Sequence, residues 1–194
     1  MKKSLGARTL LYPIPSIVVC TYDIDGRPNA MTAAWVGIVC SQPPCIGISL
    51  RKATLTYGAI MSRRAFTLNI PSEDFITQVD YFGLASGRDE DKLANVGLTT
   101  IDSVLVDAPY IKDFPVVIEC KVINVVEIGL HTQFIGEIMD VKMEESILDE
   151  KGESSIKRIR PFIYSPDERC YYGIGEKLEK SFDCGKKYMK KAQS

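Results

Sequence analysis

Residues Phe114–Glu127 read FPVVIECKVINVVE, and residues Gln133–Met143 read QFIGEIMDVKM. The first run is dense in β-branched residues, and GLHT between the two supplies turn chemistry. Two strands of that length joined so tightly predict a long hairpin, one able to curl around a barrel. The hairpin sets the expectation for the rest of the chain, which is mainly β.

Upstream, Ser16–Tyr22 (SIVVCTY) is β-branched and runs into the turn DIDG. Cys45–Leu50 (CIGISL) is a short apolar run suited to a strand buried on both faces. Ala65–Ile70 (AFTLNI) alternates and is stopped by Pro71. Between these two strands, RKATLTYGAIMSRR has near-helical apolar spacing, with Thr54 as N-cap. Ser72 caps a second helix with acidic residues in its first turn, and Asp91–Val96 reads as a single helical turn. Downstream, DEKGESS is a polar turn, and PFIYS and RCYYGIG are two short strands. The tail, KLEKSFDCGKKYMKKAQS, is basic and reads as helical or frayed. No repeat or low-complexity linker interrupts the chain, so residues 1–194 form one domain with a peripheral tail at 176–194. The fold class expected is a β-barrel with interposed helices.

The 24 basic and 25 acidic residues leave a formal net charge of -1, which argues against a nucleic-acid binder. The opening MKKSLGARTLLYPIPS is too short and too broken by proline for a signal peptide, and no apolar run spans a membrane. The expected location is cytoplasmic. Cys20, Cys40, Cys45, Cys120, Cys170 and Cys184 are scattered without a zinc signature, and single buried thiols in strands are the reading they favour.

Two stretches carry chemistry. Asn29–Trp35 (NAMTAAW) holds the one tryptophan of the chain behind small side chains, which would let something flat approach the backbone. In ISLRKATLTYGAI a strand meets a helix, and Arg51, Lys52, Thr54 and Thr56 cluster at the joint. A helix N-terminus favours anions, and Arg51 adds a fork suited to phosphate. The alternative is that Thr54 simply caps the helix while the basic side chains are solvated. No P-loop or dinucleotide fingerprint is present. Together with Asn69 at a strand end, these pieces could hold a flavin mononucleotide.

The same pieces resemble the flavin reductase-like family with an FMN-binding split barrel, to which flavoredoxins belong. The likeness runs from about Pro13 to Gly175. It rests on NAMTAAW, SQPPCIGISLR, FTLNIP, GLASGRDEDKL, EC at 119–120, HTQFIGEI, and the terminal YS and YYG. The resemblance implies a split β-barrel that forms a homodimer with FMN near the interface. It would set Asn29, Ala30, Met31 and Thr32 along the ring, and Ser49, Leu50 and Arg51 at the ring or phosphate. Thr56 would lie near the phosphate, Asn69 and Ile70 at the ring, and Ser86 and Lys92 in a loop over the cofactor. Thr54 stands where many relatives carry a basic residue, so Arg51 and Lys52 would carry more of the phosphate. His131, the one histidine, is by default a structural residue at a turn. The pattern H-x-x-F-I-G-E implies instead a place near flavin or nicotinamide, which makes it the catalytic candidate. Trp35 either flanks the site or packs as a core residue under the barrel rim. Tyr164, Tyr171 and Tyr172 either touch the flavin of the partner chain or pack an interface. No metal is implied. The implied function is an FMN-dependent oxidoreductase fed by NAD(P)H or a reduced carrier. The alternative is a flavoredoxin-type electron-transfer protein with fixed FMN.

Overall fold

The computed structural model describes residues 1–189. Its strands are β1 (Ile14–Pro15), β2 (Ile17–Tyr22), β3 (Pro28–Ala33), β4 (Val36–Ser41), β5 (Pro44–Arg51) and β6 (Ala65–Ile70). They continue with β7 (Thr100–Asp102), β8 (Pro109–Ile111), β9 (Val116–Ile128), β10 (His131–Met143), β11 (Phe162–Ser165) and β12 (Cys170–Gly173). The α-helices are α1 (Leu55–Arg63), α2 (Ile76–Leu84), α3 (Lys92–Asn95) and α4 (Ile156–Ile159).

The expected hairpin is the spine of the molecule. β9 and β10 pair from His131 opposite Ile128 to Met143 opposite Val116, and Gly129 supplies the positive φ that the turn requires. One sheet then runs β3-β2-β6-β9-β10-β5-β4. Ile17 and Val19 of β2 share one apolar cluster with Ile46, Ile48 and Leu50 of β5, although four strand steps separate these strands in the sheet order. Only a sheet curled on itself brings them together, so the inner faces enclose a single barrel core with Phe66, Leu68 and Phe134 at its centre. The side chains between them on β2, Val18 and Cys20, point outward into a second cluster built with Val79 and Phe82 of α2. Both faces of β2 are therefore buried.

The opening stretch acquires its reason here. Residues 28–33 form a strand, β3, which the lack of clean alternation in NAMTAAW did not announce. Met31 and Ala33 pack toward the barrel core, while Ala30 joins the outer cluster under α2. The Thr32 hydroxyl donates to the Val79 carbonyl, and a Cβ on Gly83 would lie 3.5 Å from Thr32 Cβ. The side chains are small so that a helix can lie on the strand.

Other expectations need correction. Ser72 heads a 3-10 turn, Glu73–Phe75, and makes no side-chain cap bond; α2 follows it. His131 opens β10 instead of sitting in the turn. Cys20, Cys45 and Cys120 are buried in strands, but Cys40, Cys170 and Cys184 are exposed. Trp35 is 42% exposed and is no core residue. The tail carries a short 3-10 helix, Cys184–Tyr188, on the exposed surface, and residues 190–194 lie outside the described residues. No helix among the described residues is long and apolar enough to cross a membrane.

Candidate functional site

The junction after β5 folds as its residues dictate. Thr54 Oγ1 accepts from the Tyr57 amide at 3.2 Å and donates to the Arg51 carbonyl at 2.9 Å, so its hydroxyl is committed to capping α1. Lys52 leaves the junction to pair with Glu127 at 2.8 Å. Arg51 is exposed and forms no ion pair among the described residues, and it stands opposite His131 in the β5–β10 register. Two residues past the cap, Thr56 is buried and its Oγ1 accepts from Asn29 Nδ2 at 3.0 Å. That bond ties the head of α1 to β3.

The loop after α2 closes over the same place. Arg88 donates to the Ala53 carbonyl at 2.9 Å. Gly87 lies so close to β3 and α1 that a Cβ there would sit 2.3 Å from Asn29 Oδ1 and 3.0 Å from Leu55 Cδ2. Ser86 shapes the loop: its Oγ accepts from the Arg88 amide at 3.2 Å. Beside this contact opens a cavity of about 640 Å³, lined by Arg27, Asn29, Ala30, Gly87, Arg88 and Lys92 together with several carboxylates. Arg27 is engaged with Asp23 at 3.0 Å and Asp25 at 3.1 Å.

Lys92 is the unusual member. It is 5% exposed, its Nζ donates to the Phe82 carbonyl at 3.2 Å, and it forms no ion pair among the described residues. Burial pushes its ammonium down to about 8, against weaker upward pulls from Cys20 and Glu90. A buried cation lacking a carboxylate partner, at the wall of a cavity, is a place for an anion.

At the outer end of β5 a second feature forms. The Ser49 amide donates to the Trp35 carbonyl at 3.0 Å, which holds the β3–β4 corner against β5. The Trp35 ring then lies 4.4 Å from the His131 ring, tilted by 37°. Trp35, His131, Ser49 and Arg51 thus share one region, and the chain from Arg51 to Thr56 connects it to Asn29 and Lys92. An aromatic pair and a cavity of mixed charge that holds the buried Lys92, joined by a helix N-terminus, suit a ligand with a ring system at one end and a phosphate at the other.

Other residues expected at the site are placed elsewhere. Asn69 is 0% exposed, with Nδ2 donating to the Val18 carbonyl and Thr67 Oγ1 and Oδ1 accepting from the Ile111 amide. Its carboxamide is fully occupied in joining β6 to β2 and β8. Leu50, Met31 and Ile70 belong to the barrel core or pack against it. Tyr164 lies partly buried on β11, opposite Ile14, with its ring 5.7 Å from Tyr171. Tyr171 donates to Asp80 at 2.8 Å and Tyr172 to Glu168 at 3.0 Å. Sequence reasoning missed Arg27, Gly87 and Arg88 as individual lining residues, although Gly87 and Arg88 lie in the stretch GLASGRDEDKL.

Comparison with known proteins places the fold. The flavin reductase like domain matches residues 9–173. The flavoredoxin of Desulfovibrio vulgaris (Miyazaki F) is 55% identical and superposes with a TM-score of 0.91, covering 95% of this chain and 100% of that one. The flavoredoxin of Methanosarcina acetivorans is 26% identical with a TM-score of 0.90, covering 97% and 100%. The reductase component of a 4-nitrophenol 4-monooxygenase/4-nitrocatechol 2-monooxygenase from Rhodococcus opacus is 26% identical over 65% of this chain and 64% of its own. The curled sheet is the flavin-binding split barrel of these neighbours, and the chain belongs to the flavin reductase-like family.

Proposed function

We propose that the chain binds FMN and passes electrons between a reduced carrier and a protein acceptor, as a flavoredoxin-type protein. The observation that carries the reading is the buried Lys92, without an ion pair among the described residues, beside the Asn29–Thr56 bridge; the Trp35–His131 pair stands at the other end of the Arg51–Thr56 segment. Lys92 would supply positive charge to the phosphate, with the amides at the head of α1 and the Arg51 fork adding donors. Asn29 would present its polar atoms to the cavity, with Thr56 holding its carboxamide in place. Trp35 and His131 would cover one part of the ring and exclude water there. When bound, FMN supplies the redox chemistry, exchanging electrons singly or in pairs. His131 is assigned to positioning here, because its ring is engaged with Trp35. Asn69, Leu50, Ile70 and Thr54 hold the frame and are left out of the cofactor set.

A second reading, an NAD(P)H-dependent flavin reductase, has support from the relative that is a monooxygenase reductase component. A homodimer belongs to the same proposal. Ile123, Val126, Ile128 and Leu130 are exposed at the tip of the long hairpin, and a second copy would cover them.

The test is a visible spectrum of the desalted protein. Flavin bands, with FMN released on denaturation, support binding; a colourless protein that takes up no added FMN refutes it. NADH and NADPH added to the same sample then separate the two readings: unchanged bands support the carrier, and bleaching supports the reductase. Sedimentation shows whether the protein is a dimer.

A further inference from the structure

Cys40 and Cys45 are direct partners across the β4–β5 hairpin, one on each side of its turn. Directly opposed residues of an antiparallel pair project to the same face with Cα atoms ~4.5–5.5 Å apart and Cβ atoms at similar spacing. A disulfide needs Cα atoms roughly 4.4–6.8 Å apart and Cβ atoms roughly 3.5–4.5 Å apart. Directly opposed positions of this kind meet the first condition and fall just short of the second, so a bond would draw the two strands slightly together. The ladder can give: β4 is an edge strand, and its register slips between Ile38 and Cys40.

The two thiols differ in access. Cys40 is exposed, with its Sγ directed to the Gln42 carbonyl at 3.3 Å, whereas Cys45 is 3% exposed. Burial, then the neighbouring Cys40 and Glu137, push the Cys45 thiol up. An incoming sulfur therefore meets Cys40 first, and Cys45 stands behind it as the resolving thiol. The remaining exposed cysteines lack this arrangement; Cys170, for example, stands opposite Ser165.

We propose that Cys40 and Cys45 form a reversible dithiol site that reacts with small-molecule disulfides of the glutathione class. The Cys40 thiolate attacks one sulfur of the disulfide, forming a mixed disulfide and releasing one thiolate, which takes up a proton. The Cys45 thiolate then attacks the Cys40 sulfur and expels the second thiolate. Two protein thiols and one small disulfide become one protein disulfide and two small thiols. Because the cross-strand geometry is slightly too wide, the bond formed is strained and readily reduced again. The site does not depend on the flavin.

The test is to incubate the full-length protein with oxidised glutathione, quench in acid, and map thiols by mass spectrometry. In the wild type, the peptide carrying residues 40 and 45 is expected to be lighter by two hydrogens with no glutathione attached, and dithiothreitol restores it. In Cys45→Ala the same peptide is expected to keep glutathione on Cys40. Glutathione retained on Cys40 in the wild type overturns the proposal, and so does a peptide left reduced while Cys170 or Cys184 reacts. Should Cys45→Ala fail to fold, the wild-type peptide decides alone.

Discussion

Replacing Lys92 with Met should change stability and flavin binding in opposite directions. The ammonium is held at about 8 against an ordinary 10.5. That displacement corresponds to about 3 kcal/mol of unfavourable burial at neutral pH. Removing the charge recovers that cost but also removes the donor to the Phe82 carbonyl, worth about 1 kcal/mol or somewhat more. The flavin-free variant should therefore be about 1–2 kcal/mol more stable, a few degrees in Tm for a domain of this size. Flavin binding loses a charge-assisted bond worth about 1.5–3 kcal/mol, roughly a 10–200-fold rise in Kd. Thermal melts of flavin-free protein and fluorescence titration with FMN measure the two halves. The pH dependence adds a check. Folding lowers the ammonium, so between about 8 and 10.5 the unfolded chain holds more proton at this residue, and the Lys92 contribution to stability, read as wild type minus variant, rises with pH across that window. The variant lacks that rise. Unchanged FMN affinity would refute Lys92 as the anion ligand. A large loss of stability in the flavin-free protein would refute the unpaired buried charge.

Three further outcomes follow from the site. Gly87→Ala forces the loop off Asn29 and Leu55. FMN affinity should fall roughly tenfold, and unchanged titration curves would remove that contact from the site. Asn69→Ala breaks three buried hydrogen bonds. It should cost about 3 kcal/mol in urea denaturation while the folded fraction keeps its flavin affinity; the reverse pattern would return Asn69 to the ligand set. Arg51→Ala, at an exposed and unpaired position, should leave the melt within about 0.5 kcal/mol of wild type but reduce flavin retained after desalting. Equal retention would count against Arg51 as a phosphate donor.

The parts of the fold legible in the sequence were those whose local pattern and tertiary role coincide. The β9–β10 hairpin, the Thr54 cap and the AFTLNI strand each announce themselves within a dozen residues. β3 did not, because its residues are chosen for α2 lying on one face and the barrel core on the other, which erases alternation. β4 was missed for a related reason: as an edge strand it buries almost nothing. At the site, the resemblance pointed to Thr56, Asn29 and Lys92, which the fold brings near one another, and to Asn69, whose carboxamide joins three strands. A polar residue that binds a cofactor and one that stitches strands together have the same identity in sequence. They separate only when the partners of the carboxamide can be counted. His131 and Trp35 each carry their own signal, but a tilted ring pair whose members are 96 positions apart has no local signature.

The double burial of β2 bears on how cofactor and chain exchange with their surroundings. Ile17–Cys20 are shielded inside by the barrel core and outside by α2, and their strand is bonded on both sides to β3 and β6. Amide protons there should exchange with heavy water only when the whole domain opens. The 86–91 loop carries no such cover and should exchange orders of magnitude sooner by its own local openings. Deuterium uptake would then be fast at the rim of the cavity and slow one strand away, and a bound flavin could leave through the rim while the sheet behind it stays closed.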